Sequence, residues 1–353
     1  MASVETVDVL VVGAGPCGLA AAIAMGRAGL RAVVLDRASV VSGIALYPPY
    51  MTFFSTAERL AIGGLPFVVA TEKPTRRDAL AYYRAVVSHF DLDVRQFEEV
   101  TDVVRLGTGP DGSGPDGGAR FEVRSRRRGG RERTTRAGAV VVATGYFGTP
   151  SRLDVPGESL PHVTHYFREG HEAFRQHAVV VGGGNSAVDA ALELDRAGAR
   201  VTLVHFGPGL DPNIKPWVLP DIAARLREGR VGARWRSRVA RIDDDTVTIR
   251  TAHADSDVVT DEALPADHVY LMTGFLPNSG LLERLGVPLD PVTGVPAHDP
   301  TTMESAAPGV FVAGVIASGY HANRIFIENG RDHGALIARR LLAARPAAGP
   351  APG

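Results

Sequence analysis

Between residues 7 and 36 the chain reads VDVLVVGAGPCGLAAAIAMGRAGLRAVVLD, and no other stretch restricts the fold as much. Residues 8–12 are mostly β-branched and apolar, the pattern of a parallel strand buried on both faces. Gly13, Gly15 and Gly18 follow as G-x-G-x-x-G where that strand must turn into a helix. The first glycine permits the tight turn. The second lets the backbone approach a pyrophosphate, and the third lets the helix pack closely on the sheet. The helix N-terminus then points free N–H groups at the phosphates. Asp36 closes the second strand, where a carboxylate reaches a ribose hydroxyl. A glycine turn without a ligand is the plainer alternative, and the complete strand–turn–helix–strand unit with its acid argues against it.

A second unit of the same kind lies further on. Residues 178–181 read as a strand, Gly182-Gly183-Gly184-Asn185-Ser186-Ala187 as the turn, residues 187–197 as a helix and residues 201–205 as the next strand. Ala187 replaces the third glycine, an allowed variant. Two dinucleotide folds in tandem mean that one cofactor passes electrons to another; the alternative is a duplicated fold with one inactive site. Where NAD enzymes carry an acid, this chain has His205. With no carboxylate there to repel a 2′-phosphate, NADPH is the expected nucleotide. No arginine follows directly, since the next residues are Phe206-Gly207-Pro208, so Lys215 and Arg200 are the candidates for the positive charge.

The 353 residues suffice for two domains, and 45% hydrophobic content fits globular cores. A formal net charge of −1 gives no general attraction to nucleic acid or anionic membranes. No apolar run reaches the roughly 18 residues of a membrane span, and the N-terminus shows no signal-peptide pattern. Cys17 is the single cysteine, which excludes an internal disulfide and fits a reducing cytoplasm.

Elsewhere, residues 40–64 are rich in aromatics, proline and glycine and read as an ordered excursion over a ligand, since Tyr47, Phe53 and Phe54 are costly to leave wet. Residues 77–90 read as a helix and residues 93–98, 100–106 and 121–125 as strands. Residues 107–119 read as a flexible loop. The arginine run that begins at Arg124 reads as a solvated hairpin tip rather than a nucleic-acid contact, because no aromatics interleave with it. Strands are expected at residues 139–144, ending in Ala143-Thr144-Gly145, at 269–273 and at 309–314. Residues 335–344 read as a helix, and residues 346–353 as a disordered tail.

Together the strings GAGPCG, ATG, GGGNSA and VFVAG resemble the low-molecular-weight thioredoxin reductase branch of two-dinucleotide flavoproteins. The longer strings YPPYMTFFSTAERLAIG, KPTRRDALAYYR, HYFREGH, GGGNSAVDAALEL, IKPW and IFIENGR resemble the bacillithiol disulfide reductase family more closely. The resemblance covers nearly the whole chain. It implies an α/β fold of two Rossmann-like domains, with an NADPH domain (157–280) inserted into a discontinuous FAD domain (1–156 and 281–345). It implies FAD contacts at Gly13, Gly15, Pro16, Gly18, Asp36, Arg37, Val100, Thr144, Gly145, Gly314 and Ile325, and NADPH contacts at Gly182, Gly184, Asn185, Ser186, His205 and Lys215. Two departures from ordinary thioredoxin reductases agree with the closer family. There is no C-x-x-C, so a relay through an internal disulfide is impossible, and the usual Gly-Asp after the last strand reads Gly314-Val315.

The implied activity is NADPH-dependent reduction of a low-molecular-weight disulfide such as oxidised bacillithiol, by a cytoplasmic homodimer or higher homo-oligomer. A flavin monooxygenase, a reductase of a ferredoxin-like protein and a non-catalytic redox sensor are the rival functions. Cys17 has two readings. At a helix N-terminus its thiol pKa can fall, which would make it a nucleophile; or it is a small residue that fits beside the pyrophosphate. His321, Glu328 and His333 are the candidates for a proton donor, each with a structural role as the plainer reading. Arg324 and Arg331 either hold an acidic thiol or pair with Glu328.

Overall fold

The computed structural model describes residues 4–107, 119–253 and 258–344. The expectations of a flexible loop and a disordered tail therefore fall almost wholly outside the described residues. The chain divides into two compact units, one of residues 1–45, 50–149 and 276–353 and the other of residues 46–49 and 150–275.

In the first unit, β1 (Glu5–Val12) leads through the glycine turn to the Pro16–Arg27 helix and then β2 (Ala32–Asp36). Pro16 stands in the helix's first turn, where a missing N–H costs nothing. After the Arg76–His89 helix come β3 (Asp93–Gln96), β4 (Glu98–Arg105), β5 (Phe121–Arg127) and β6 (Glu132–Val142). The sheet order is β3-β2-β1-β6-β5-β4, with the later strand Val310–Val312 also paired to β6. Strand β6 serves three neighbours. Residues 135–142 run parallel to β1, residues 132–137 run antiparallel to β5, and residues 140–142 run parallel to Val310–Val312. The second half of β1 is buried, and its Val9, Leu10 and Val11 belong to the core, as do Leu19, Ile23 and Ile337.

The arginine run is a β5–β6 hairpin, as expected, and strand β4 neutralises much of it. Buried Glu98 accepts the Ser125 hydroxyl at 2.7 Å and lies 3.8 Å from Arg127 and 3.7 Å from Arg133. Arg124 pairs with Glu122 and Asp102, and Arg126 with Glu99.

The second unit holds β7 (Val163–Thr164), β8 (His177–Val181), β9 (Arg200–Val204), β10 (Val231–Arg234), an antiparallel trio β11 (Ser237–Ile242), β12 (Thr246–Ala252) and β13 (Val259–Pro265), and β14 (His268–Leu271). Its parallel sheet has the order β10-β9-β8-β14-β7. The two-residue alternation of β8 explains the layering. Ala178 and Val180 pack with Val188 and Ala191 of the Asn185–Arg196 helix, while Val179 and Val181 pack with Val239, Val247 and Ile249 of the trio. The trio carries arginines and acids on its other face, which hid it from residue patterning.

The aromatic excursion includes two short helices, Ser42–Ala45 and Ala57–Leu60. The Arg76–His89 helix anchors the second of them. Its Tyr83 hydroxyl donates to Leu60 O at 2.9 Å, and its Tyr82 hydroxyl accepts Ile62 N–H at 2.9 Å and donates to Leu65 O at 2.8 Å. Tyr83 is fully buried, so Tyr83→Phe should leave a carbonyl without its donor and cost about 1–2 kcal/mol. The urea midpoint should fall at constant slope, and an unchanged midpoint would show that the hydroxyl contributes nothing.

Candidate functional site

At the first glycine turn the backbone closes on itself. Gly13 adopts φ +111°, and a Cβ there would collide with Ala143 O. A Cβ on Gly18 would collide with Gly13 O, so the helix touches the strand end backbone to backbone. Gly15 is different: no atom stands within 4 Å of where its Cβ would be. That opening, at the N-terminus of a twelve-residue helix, is a cradle for an anion. Asp36 braces it, accepting Ala14 N–H at 2.7 Å and Ala38 N–H at 2.8 Å. Half-buried Thr144, two residues past the end of β6, has a buried hydroxyl with no partner among the described residues, and Gly145 beside it faces open space. An orphan hydroxyl next to an open phosphate cradle fits a bound dinucleotide. Pro16 opens the helix. Arg37 donates to Gly148 O at 3.1 Å, and Val100 lies half-buried in β4 opposite Ser125.

At Cys17, in the first turn of that helix, burial works against the activation that a helix N-terminus allows. Part of the residue's surface is accessible, but the sulfur is enclosed. A Cβ on Gly314 would lie 2.9 Å from Sγ, and one on Gly330 would lie 2.8 Å from it. Burial, with a smaller contribution from Asp332, pushes the thiol up to about 12, so desolvation outweighs the helix dipole. The thiol fills the space that side chains on the two glycines would need, and a Cβ on Gly330 would also stand 3.1 Å from Ile325 Cγ2.

The remaining candidates near Gly314 have structural partners. Glu328 accepts the Ser55 hydroxyl at 2.8 Å and Arg59 at 2.9 Å, and these hold its carboxyl below the usual range. It is a poor proton donor. Arg331 does not form the expected pair with Glu328. Its guanidinium instead caps the Ala57–Leu60 turn, donating to the carbonyls of Glu58, Arg59 and Ala61. His321 and Arg324 are exposed.

In the second unit Gly182 adopts φ +142°, and a Cβ there would come within 2.5 Å of Met272 O. His205 is buried, and its ring covers Gly183, with a Cβ there meeting the ring at 2.6 Å. It therefore supports the turn instead of standing free at its mouth. Its Nε2 lies 3.4 Å from Asp211 Oδ1, and Asp211 Oδ2 also stands 3.1 Å from the Cβ position of Gly184. Ser186 is exposed on the first turn of the helix. Asn185 ties the loop beyond, donating to Asn213 O at 3.0 Å and accepting Lys215 N–H at 2.9 Å. The two cations considered for a 2′-phosphate are both placed otherwise. Lys215 Nζ is engaged by Asp189 at 2.7 Å, and Arg200 begins β9 at the end remote from the turn, 3.1 Å from His177.

A family model, pyridine nucleotide-disulphide oxidoreductase, matches residues 10–314. The chain belongs to this family. The oxidoreductase is 41% identical to the bacilliredoxin reductase Bdr of Bacillus subtilis over 332 residues, 94% of this chain and 96% of that protein. The solved bacillithiol disulfide reductase Bdr (YpdA) of Bacillus cereus superposes with a TM-score of 0.88 at 41% identity, over 97% of this chain and 100% of that one. The Staphylococcus aureus structure gives 0.86 at 37% identity, over 97% and 100%. The family's two dinucleotide folds agree with the two glycine turns. No helix among the described residues is long and apolar enough to cross a membrane.

His333 gives this site a pH dependence. Gly314 N–H donates to its Nδ1 at 3.2 Å, which requires a neutral ring, and burial followed by the nearby His298 lowers its pKa below the ordinary 6.5. The unfolded chain therefore takes up this proton first. The contribution is complete above about 6.5 and is lost as pH falls toward the lowered folded value. His333→Gln keeps an acceptor without a titration. Between about pH 7.5 and 5.5 the parent should lose more stability than the variant, and equal losses in urea titrations would refute the assignment.

Proposed function

We propose that this oxidoreductase is an FAD-dependent NADPH enzyme that reduces a low-molecular-weight disulfide of the bacillithiol type. The observation that carries the reading is a chain with two glycine turns, the first of them open at Gly15, whose single thiol is enclosed and held protonated. Such a chain can bind two dinucleotides but has no disulfide of its own to place between them and the substrate. The named activities of the Bdr relatives support the substrate class. In this reading residues 1–156 and 281–345 hold FAD and residues 157–280 hold NADPH. The same reading makes the enzyme a cytoplasmic homodimer or higher homo-oligomer.

The net reaction takes two electrons from NADPH and one from-solvent proton, breaks one S–S bond and releases two thiols. Bound FAD supplies the two-electron carrier between the nicotinamide and the disulfide. The protein's own residues position it. Gly13 and Gly18 shape the cradle at Gly15, Asp36 fixes the cradle's backbone, and the Thr144 hydroxyl offers an unused donor and acceptor beside it. Pro16, Arg37, Val100, Gly145, Gly314 and Ile325 complete the proposed flavin site. Gly182, Gly184, Asn185 and Ser186 form the turn for the nicotinamide nucleotide, with His205 behind it and Lys215 beside it. Glu328, held ionised, is not the acid that protonates a leaving thiolate. Cys17 serves packing.

The test is anaerobic. NADPH should bleach the flavin absorbance, and oxidised bacillithiol should restore it in the parent and in Cys17→Ala at rates within about twofold, since a thiol so rarely ionised adds little reactivity. Recovery in the parent alone would make Cys17 the nucleophile. Recovery only on admitting air would overturn the disulfide reductase reading.

A further inference from the structure

We infer that Arg236, between β10 and β11, and Arg238, near the start of β11, form the cationic site that reads the 2′-phosphate of the nicotinamide nucleotide. The inference rests on the NADPH reading above. In a dinucleotide fold the residue after the second strand faces the adenosine ribose. That residue here is His205, and its ring is turned under the glycine turn. The next residue, Phe206, is 61% exposed, an unusual placement for a phenylalanine on a strand end. Both earlier candidates for the positive charge are engaged or remote.

The segment 234–238 lies directly alongside. His205 N–H donates to Arg234 O at 2.9 Å, Ser237 N–H donates to His205 O at 2.9 Å, and Arg236 N–H donates to Gly207 O at 2.8 Å. These bonds lace the two stretches together, so the arginines follow any ligand held at the end of β9. Arg236 adopts φ +54°, a left-handed conformation that a non-glycine residue rarely takes. The Arg238 guanidinium sits 4.8 Å over the centroid of the Phe206 ring, a cation–π arrangement that fixes it beside an exposed aromatic face. Arg234 is spent on Glu262, with bonds of 2.7 and 2.8 Å. Arg236 and Arg238 are both exposed, and among the described residues neither has an acid partner. A phosphate monoester meets a guanidinium in paired, charge-assisted bonds, while a ribose hydroxyl needs no cation at all. Asp211 lies on the glycine-turn side, next to His205 and Gly184.

The probes are 2′,5′-ADP and 5′-AMP, titrated calorimetrically into the FAD-loaded protein. They differ only in the phosphate at issue, and no turnover is needed. The parent should prefer 2′,5′-ADP at least about tenfold, and Arg236→Ala and Arg238→Ala should each weaken it about tenfold, the scale of one charge-assisted contact. Binding of 5′-AMP should stay within about threefold in both variants, which also shows that they are folded. The double variant should bind the two probes alike, and salt should weaken 2′,5′-ADP binding in the parent more than in the double variant. If the parent discriminates and the variants discriminate equally well, the two arginines are not the site and the NADPH reading stands. If the parent binds both probes alike, the NADPH reading itself fails. If it prefers 5′-AMP and Asp211→Asn removes that preference, Asp211 is the ribose reader of an NADH enzyme.

Discussion

Backbone meets backbone at Gly13. The carbonyl of that residue stands where a side chain of Gly18 would be, and the Ala143 carbonyl stands where its own would be. Three elements converge there with nothing between them: the end of β1, the start of the Pro16–Arg27 helix and the end of β6. Close-packed interiors do not absorb an added methyl group against backbone by rotating a rotamer. The open space at Gly15 and the unpartnered hydroxyl of Thr144 exist because this crossing holds the surrounding chain so tightly. A polar cavity with a rigid rim costs the protein less when a ligand completes its hydrogen bonds.

The glycine spacings and Asp36 were legible because their constraint is local. A turn that must admit a phosphate can be built in few ways, and each glycine has one job. The partners of charged side chains were not legible. Arg331 sits three residues from Glu328, yet it caps carbonyls of residues 58–61, and Glu328 pairs with Arg59, far away in sequence. A long flexible cation chooses among acceptors that only the tertiary fold brings near. The trio β11–β13 was missed for a related reason. One face of it is charged, and its buried face, Val239, Val247, Ile249 and Leu264, is spread thinly over three strands.

Cys17 shows how a favourable local feature can be overruled. A helix N-terminus stabilises a thiolate through the first few N–H groups, a modest effect. Removing the sulfur from water works against ionisation more strongly, and here Gly314 and Gly330 press against it. The thiol and the two glycines therefore form one packing unit drawn from residues 17, 314 and 330. A larger residue at any of the three would disturb the other two.

The triple pairing of β6 bears on how the molecule is made. Its last residues are completed by Val310–Val312, which the ribosome delivers long after β1 and β5 have emerged. Residues 150–275, by contrast, form a contiguous run that is finished earlier. During synthesis the first sheet must wait with an open edge while the inserted unit folds, since domains generally fold as units as they leave the ribosome.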